Sequence, residues 1–323
     1  MTVDFATPVL FASRCLGFAA CRWDGATIRT DLIEQLKPHV KFVVHCPEMG
    51  IGLGVPRKPV RIIELNGKKE LYQADTDRFF TREMAAYVNK TLDELPVCDG
   101  FILKNRSPSC GPFDVKLYAG KEKKGVTKRT AGFFAEEILR RWPLLAIEDE
   151  GRLTNFTVRE RFLIQVFALA DFRRVKKSES VGQVVDFHQR YKLMIMACNQ
   201  TEMRNLGRLV AAPKGISFAD FCRDYEHGLN RALQHGPRLG GAINVLMHAQ
   251  GYFKRELKSR EKEHFADLLE RYRNKQVPLS VPVAVIQAWI ERFDQPYLRS
   301  QVFFRPYPEA LVSISDSGKG LDY

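Results

Sequence analysis

The chain has 323 residues, 45% hydrophobic and 27% charged, a balance that excludes a disordered polyelectrolyte and leaves room for two ordinary domains. No run approaches the ~20 apolar residues of a membrane helix, and Asp4 stands where a secretory leader would be basic, so neither is expected. Seven cysteines, an odd number scattered along the chain, do not form a disulfide framework and point to a reducing, cytoplasmic setting.

Lys and Arg number 50 against 38 Asp and Glu, a formal charge of +12. Residues 1–151 contribute 23 − 20 = +3 and residues 152–323 contribute 27 − 18 = +9. An excess of that size favours polyanions through counterion release, and its placement assigns nucleic-acid contact to the second half, although basic surfaces also serve solubility.

In chain order, the first half alternates short β-rich runs with helical stretches. Strands are predicted at Pro8–Ser13, Lys41–His45, Val60–Leu65, Lys69–Gln73, Phe101–Asn105, Val115–Tyr118 and Leu144–Glu148. Asn66-Gly67 between two of these is a tight hairpin signal. Helices are expected near Thr30–Pro38, Thr76–Leu95 and Thr130–Arg141, the second carrying Phe79, Met84, Ala85, Val88 and Leu92 at helical spacing. Such alternation implies crossover units and an α/β fold with a mainly parallel sheet covered by helices on both faces.

After the acidic turn Glu148–Gly151 the pattern becomes helical: Val158–Ala170, Val181–Cys198, Met203–Val210, Phe218–Gln234, Gly241–Leu257, Glu261–Asn274 and Val281–Phe293. Two domains are expected, residues 1–151 and an all-α region of residues 152–323, the latter ending in a Pro- and aromatic-rich tail and a polar, frayed end. Gly50-Ile51-Gly52-Leu53-Gly54 imitates a dinucleotide fingerprint but opens no clear helix, and is set aside.

Three cysteines differ from the rest in their surroundings. Cys15 (SRCLG), Cys46 (HCPEMG) and Cys110 (SPSCGP) each follow a predicted strand in a Gly- or Pro-containing loop. Loops at the carboxyl ends of parallel strands gather in one crevice, so thiols distant in sequence can meet there. Thiolates suit zinc, copper(I) and iron–sulfur clusters. Structural zinc wants four ligands, often as Cys-x-x-Cys pairs, and there is no such pair; His45 should point away from Cys46 on its strand. A cluster held by three thiolates leaves one iron open as a Lewis acid. The bland alternative is that these are small core residues, which is the reading for Cys98, Cys198 and Cys222 and, less firmly, for Cys21.

Glu48, two residues past Cys46, is a candidate general acid or base, or else a capping or solvated carboxylate. Ser107 and Ser109 flank Pro108 ahead of Cys110 and offer hydroxyls and backbone N–H donors, or else build a plain turn. Lys104 and Arg106 at the same strand end can meet an anionic group or face solvent. The helix-borne histidines are assigned no catalytic role.

Ser13-Arg14-Cys15-Leu16-Gly17, Arg22-Trp23-Asp24-Gly25, Cys46-Pro47-Glu48, Gly52-Leu53, Pro56-Arg57 and Ser107-Pro108-Ser109-Cys110-Gly111 together resemble the thiouracil desulfidase family over residues 8–150. The second half resembles the helical domain often fused to it, through Phe187-His188, Tyr191–Met194, Leu206–Val210, His248–Lys254 and Arg305–Pro308. The two-domain form is similar to bacterial enzymes that remove sulfur from 4-thiouridine in tRNA.

The resemblance implies a [4Fe-4S] cluster on Cys15, Cys46 and Cys110, an open iron for the exocyclic sulfur, Glu48 as proton shuttle, and an active-site serine in the Ser107–Ser109 loop, Ser107 being favoured. The first motif departs from the family in its single Leu and in Cys21. The implied partner is tRNA containing 4-thiouridine, held mainly by phosphate contacts from residues such as Arg204, Arg208, Lys254, Arg255, Lys258 and Arg260. Two alternatives stand beside it: a desulfidase of free thiouracil or thiouridine, and a non-enzymatic, metal-containing RNA-binding or regulatory protein.

Overall fold

Leu10, Phe11 and Ala12 are each fully buried, as a central parallel strand covered on both faces requires. In the computed structural model, which describes residues 4–122, 124–212 and 215–313, they lie in β1 (Val9–Ser13). With β2 (Lys41–His45), β6 (Gly100–Leu103) and β9 (Ala146–Asp149), β1 forms a four-stranded, wholly parallel sheet ordered β2-β1-β6-β9. The chain leaves β1 to one side for β2 and to the other for β6. The order reverses there, which is where open α/β sheets form a crevice beyond the strand ends.

One face of this sheet carries Phe11, Phe101, Leu103 and Ile147 into a core with Met84, Val88 and Leu92 of α3 (Thr81–Asp93) and Phe134, Ala135 and Ile138 of α4 (Phe133–Arg141). Phe11 stacks on Phe134 with centroids 5.3 Å apart and meets Phe101 at 5.7 Å. A short α1 (Asp31–Leu36), capped by Thr30, buries Ile33 and Leu36 between β1 and β2 in sequence.

The remaining strands form a second sheet ordered β5-β4-β3-β7-β8, in which only β3 (Val60–Leu65) and β7 (Val115–Ala119) run parallel. The β3–β4 hairpin turns at Asn66-Gly67, both with positive φ, before β4 (Lys68–Gln73). The parallel sheet is the one expected; β5 (Arg78–Phe79) and β8 (Lys124–Thr130) are strands beyond those expected. β8 is an edge strand of basic residues and Gly125, paired antiparallel with β7, so it carries no apolar alternation. Asp77, with φ +50, breaks the helix expected from Thr76, and α3 begins four residues later than Asp77.

The rest of the described chain is helical: α5 (Phe156–Lys176), α6 (Val181–Cys198), α7 (Gln200–Ala211), α8 (Phe218–Leu233), α9 (Leu239–Gly251), α10 (Ser259–Arg273), α11 (Ser280–Arg292) and α12 (Pro296–Arg299). The fold class is thus α/β with a parallel sheet, followed by an all-α region. Phe172, Phe187, Tyr191 and Tyr225 form an aromatic centre in this region, with Phe187 and Tyr191 stacked at 4.1 Å. Buried Asp171 is held by Arg174 at 2.8 Å and Arg190 at 2.9 Å. A Cβ on Gly241 would lie 2.1 Å from the Ala197 carbonyl oxygen, so only glycine lets α9 approach the end of α6 this closely. Helical geometry in α9 stops at Gly251, short of the expected Leu257.

Contacts divide the described chain into residues 7–162 with 310–313, and residues 4–6 with 163–309. The change from strands to helices falls between Asp149 and Phe156, close to the expected boundary at 151, but the division of contacts falls later, inside α5. The first turns of α5 are tied to the β9 end: Arg159 donates to the Leu153 carbonyl at 3.0 Å, and Arg161 pairs with buried Glu148 at 2.8 Å.

Candidate metal centre at the strand ends

Each of the three singled-out cysteines leaves a neighbouring parallel strand at the same end of the sheet. After Ser13 the chain bends at once: Arg14 N–H donates to the His45 carbonyl (2.9 Å), Leu16 N–H to that of Ser13 (2.9 Å), and Gly17 takes φ +80. This places Cys15 one residue past the last pair of β1 and β2, Ser13 with His45. Cys46 opens the four-residue α2 (Pro47–Gly50), with Pro47 fixing the first helical φ.

Cys110 closes a loop built on Ser107, whose Oγ accepts the N–H groups of Ser109 (3.3 Å) and Cys110 (3.1 Å), while Gly111 N–H returns to the Ser107 carbonyl at 2.9 Å. A Cβ on Gly111 would sit 2.5 Å from Val115 Cγ2 and 2.9 Å from the Ser107 oxygen, so the turn admits only glycine.

The crevice beyond these ends is a cavity of about 340 Å³ lined by Cys15, Cys21, Cys46, Cys110, Glu48, Arg57 and Ser107, with Arg14, Arg22, Trp23, Lys104 and Arg106 also on its wall. The crevice therefore gathers all three cysteines expected from the sequence, and adds Cys21, for which core packing is the expectation. None is in a disulfide. Cys46 Sγ donates to the Cys21 carbonyl at 3.8 Å. Burial, reinforced by the neighbouring Cys21 and Cys46 sulfurs, pushes the Cys15 thiol up to about 12; burial also raises Cys21, to about 11, and holds Cys110 well above the ordinary thiol range. Such thiols ionise only when a cation compensates the charge.

The donor set is sulfur, the preference of iron–sulfur clusters, zinc and copper(I). Among the described residues no three His, Cys, Asp or Glu donors converge on a point that would hold one ion. Thiols from three strand ends around one cavity suit a cluster held by three thiolates. His45 is no fourth ligand: its Nδ1 lies 3.2 Å from the Tyr87 hydroxyl and its ring stacks on Phe11.

Glu48 is buried in this wall. Arg57 donates to its Oε2 twice, from Nε at 2.9 Å and Nη2 at 2.7 Å, and Ser109 Oγ donates to Oε1 at 3.0 Å. Arg57 Nη1 meanwhile reaches the carbonyls of Cys21 and Gly54, both at 3.0 Å. Arg57 belongs to the Pro56-Arg57 motif, but its role is not visible there: a guanidinium nine residues along a loop from a buried carboxylate leaves no periodic signal. Ser107 faces the cavity, whereas Ser109 is fully buried behind Glu48. Lys104 is paired with Glu150, whose Oε2 also accepts Asn105 N–H at 2.8 Å. Arg106, largely exposed, pairs with Asp114 at 3.6 Å.

Cys198 and Cys222 are buried on helices far from these loops in sequence, Cys198 against the Met194 sulfur at 3.9 Å, in keeping with packing roles, and Cys98 lies half-buried ahead of β6. The six basic residues named from the sequence, Arg204, Arg208, Lys254, Arg255, Lys258 and Arg260, are all exposed.

Known proteins match the two parts of the chain separately. Residues 10–150 match the family described as 2-thiouracil desulfurase, and residues 192–308 match a protein family of unknown function, DUF1722. The uncharacterized protein YbgA of Escherichia coli (strain K12) is 32% identical over 158 residues, 48% of this chain and 93% of that protein. The uncharacterized protein YbbK of Bacillus subtilis (strain 168) is 33% identical over 112 residues, 32% of this chain and 73% of that protein. Among solved structures, a [4Fe-4S]-dependent thiouracil desulfidase, TudS, matches with 24% identity and a TM-score of 0.36, over 46% of this chain and 93% of that one. No helix of the described chain is long and apolar enough to cross a membrane. The chain belongs to the 2-thiouracil desulfurase family, joined to a DUF1722 region.

Proposed function

We propose that this protein is a [4Fe-4S]-dependent desulfidase that converts 4-thiouridine in tRNA to uridine, exchanging sulfur for the oxygen of water and releasing hydrogen sulfide without net redox change. The observation that carries the reading is the meeting of Cys15, Cys46 and Cys110 around one cavity with Glu48 in its wall. Those three thiols would hold the cluster. When bound, it supplies a Lewis-acidic iron that takes a soft thio sulfur and makes the attached carbon more electrophilic.

The chain's own residues do the rest. Glu48, held by Arg57 and Ser109, accepts a proton from the attacking water and returns it to the leaving sulfur. The Ser107 oxygen already accepts two backbone N–H groups, so its hydroxyl proton is left for an oxygen or nitrogen on the base. Arg14, Arg22 and Arg106 at the wall offer cations to a nucleotide phosphate. The +9 of residues 152–323 supports tRNA as the partner of the helical region. A cytoplasmic location agrees with the free thiols.

Anaerobic cluster reconstitution followed by assay on tRNA containing 4-thiouridine tests this. A brown, iron-loaded protein that removes the thiouridine supports it; an iron-loaded protein inert towards such tRNA does not. The family description favours a second reading, in which the substrate is free thiouracil. Faster turnover of the free base than of the tRNA would select it.

A further inference from the structure

Three thiols suffice for the reading above, yet four line the cavity. Cys21 comes in on the turn after Gly17, with its N–H donating to the Ala19 carbonyl at 2.9 Å, and it is almost fully buried. Its backbone carbonyl receives both Arg57 Nη1, at 3.0 Å, and Cys46 Sγ, at 3.8 Å. Cys21 and Cys46 are thus held beside one another, the thiol of Cys46 on the backbone of Cys21.

We propose that Cys21 and Cys46 form a reversible disulfide when the site carries no metal, and that this bond takes Cys46 out of the ligand set. The chemistry balances with a peroxide as oxidant. Hydrogen peroxide oxidises Cys46, the less buried of the two, to a sulfenic acid and leaves one water; the Cys21 thiol attacks that sulfur, gives up its proton, forms the S–S bond and releases a second water. The two cysteines lose two hydrogens and two electrons, which the peroxide takes up. A dithiol reverses the bond by exchange. Without Cys21, the sulfenic acid on Cys46 loses the thiol held beside it and can go on to the irreversible sulfinic acid. Cys21 then preserves a ligand cysteine through a metal-free interval. This consequence for metal binding rests on the reading of Cys46 as a ligand; the bond itself does not.

The test uses the full-length, metal-free protein prepared anaerobically and treated with hydrogen peroxide. Free thiols are alkylated and the bridge is located by peptide mass spectrometry, and iron uptake is measured with and without a later dithiol. The expected result is a Cys21–Cys46 bridge as the main intramolecular product, loss of iron uptake, and its recovery on reduction. In Cys21→Ser and Cys21→Ala, each checked for folding by thermal melting, peroxide should give sulfinic acid on Cys46 and a loss of iron uptake that the dithiol does not reverse. A main bridge between other cysteines, or Cys46 left alkylated after peroxide, overturns the proposal. If the bridge forms but unoxidised protein takes up no iron, the disulfide stands and the cluster reading fails.

Discussion

Arg57 grips one oxygen of Glu48 with two nitrogens, Nε at 2.9 Å and Nη2 at 2.7 Å, and leaves the other oxygen to Ser109. Both side chains of this ion pair are almost wholly buried, so the carboxylate is fixed in position and its charge is compensated from one side only. Glu48→Gln keeps the shape and removes the proton-accepting charge. Desulfidation should fall by about 10²–10⁴, the usual range for a general base, with iron content unchanged. Turnover within threefold of the parent would remove Glu48 from the chemistry.

Breaking the same pair from the other side should cost stability as well as activity. Arg57→Ala leaves a buried carboxylate unpaired and frees two carbonyls, those of Cys21 and Gly54. A loss of about 3–5 kcal/mol is expected for a pair of this kind. Urea unfolding of the parent, Arg57→Ala and Glu48→Gln measures it, and the first variant should suffer most. Equal stability in all three would mean that the pair is solvated after all.

The two loop serines should fail differently. Ser109 is buried and bonded to Glu48, so Ser109→Ala strips one hydrogen bond from the carboxylate, worth about 1–3 kcal/mol when left unmet, and should lower kcat while iron loading persists. Ser107 accepts the N–H groups of Ser109 and Cys110 and lines the cavity, so Ser107→Ala should loosen the Cys110 turn and raise KM with weakened iron retention. Iron analysis beside steady-state kinetics separates the two, and identical profiles would contradict the division of roles.

What the sequence made legible is what local chemistry controls. β2 and β3 appear with the expected bounds and β1 within one residue, because their apolar runs end at Gly, Pro or polar turns. The strand-end cysteines were identifiable because loops at one end of parallel strands must converge. Three things were not legible. The edge strand Lys124–Thr130 is specified by its partner rather than by its own residues. Arg57 and Ser109 reach Glu48 through tertiary placement that no spacing encodes. Cys21 looked structural because its contact with Cys46 depends on where two turns meet.

The helical region offers a test of its proposed partner. Arg204 and Arg208 are exposed on α7 and one turn apart, with Arg208 engaged to its own helix, at Asn205 and the Arg204 carbonyl. If they meet phosphates, Arg204→Glu with Arg208→Glu should weaken tRNA binding and lower the slope of log affinity against log salt by about one per contact removed. Filter binding at several salt concentrations measures this. An unchanged slope would place the RNA elsewhere.

His188 gives the same region a pH dependence with a defined sign. Its ring is buried on α6, with Nδ1 3.0 Å from the Tyr225 hydroxyl, and burial, aided by the nearby Lys192 charge, lowers it from the ordinary 6.5 to about 4. Below 6.5 the unfolded chain takes up a proton that the folded chain refuses until about 4, so the unfolded state binds more protons in that window. Stability is therefore whole above 6.5 and falls as pH drops towards 4, by up to about 3 kcal/mol from this group. His188→Gln removes the titration, so the loss of stability between pH 7 and pH 4.5 should be smaller in the variant than in the parent, even if the variant starts lower. Urea midpoints at both pH values decide it, and parallel losses in the two proteins would show that His188 is protonated in the fold at ordinary acidity.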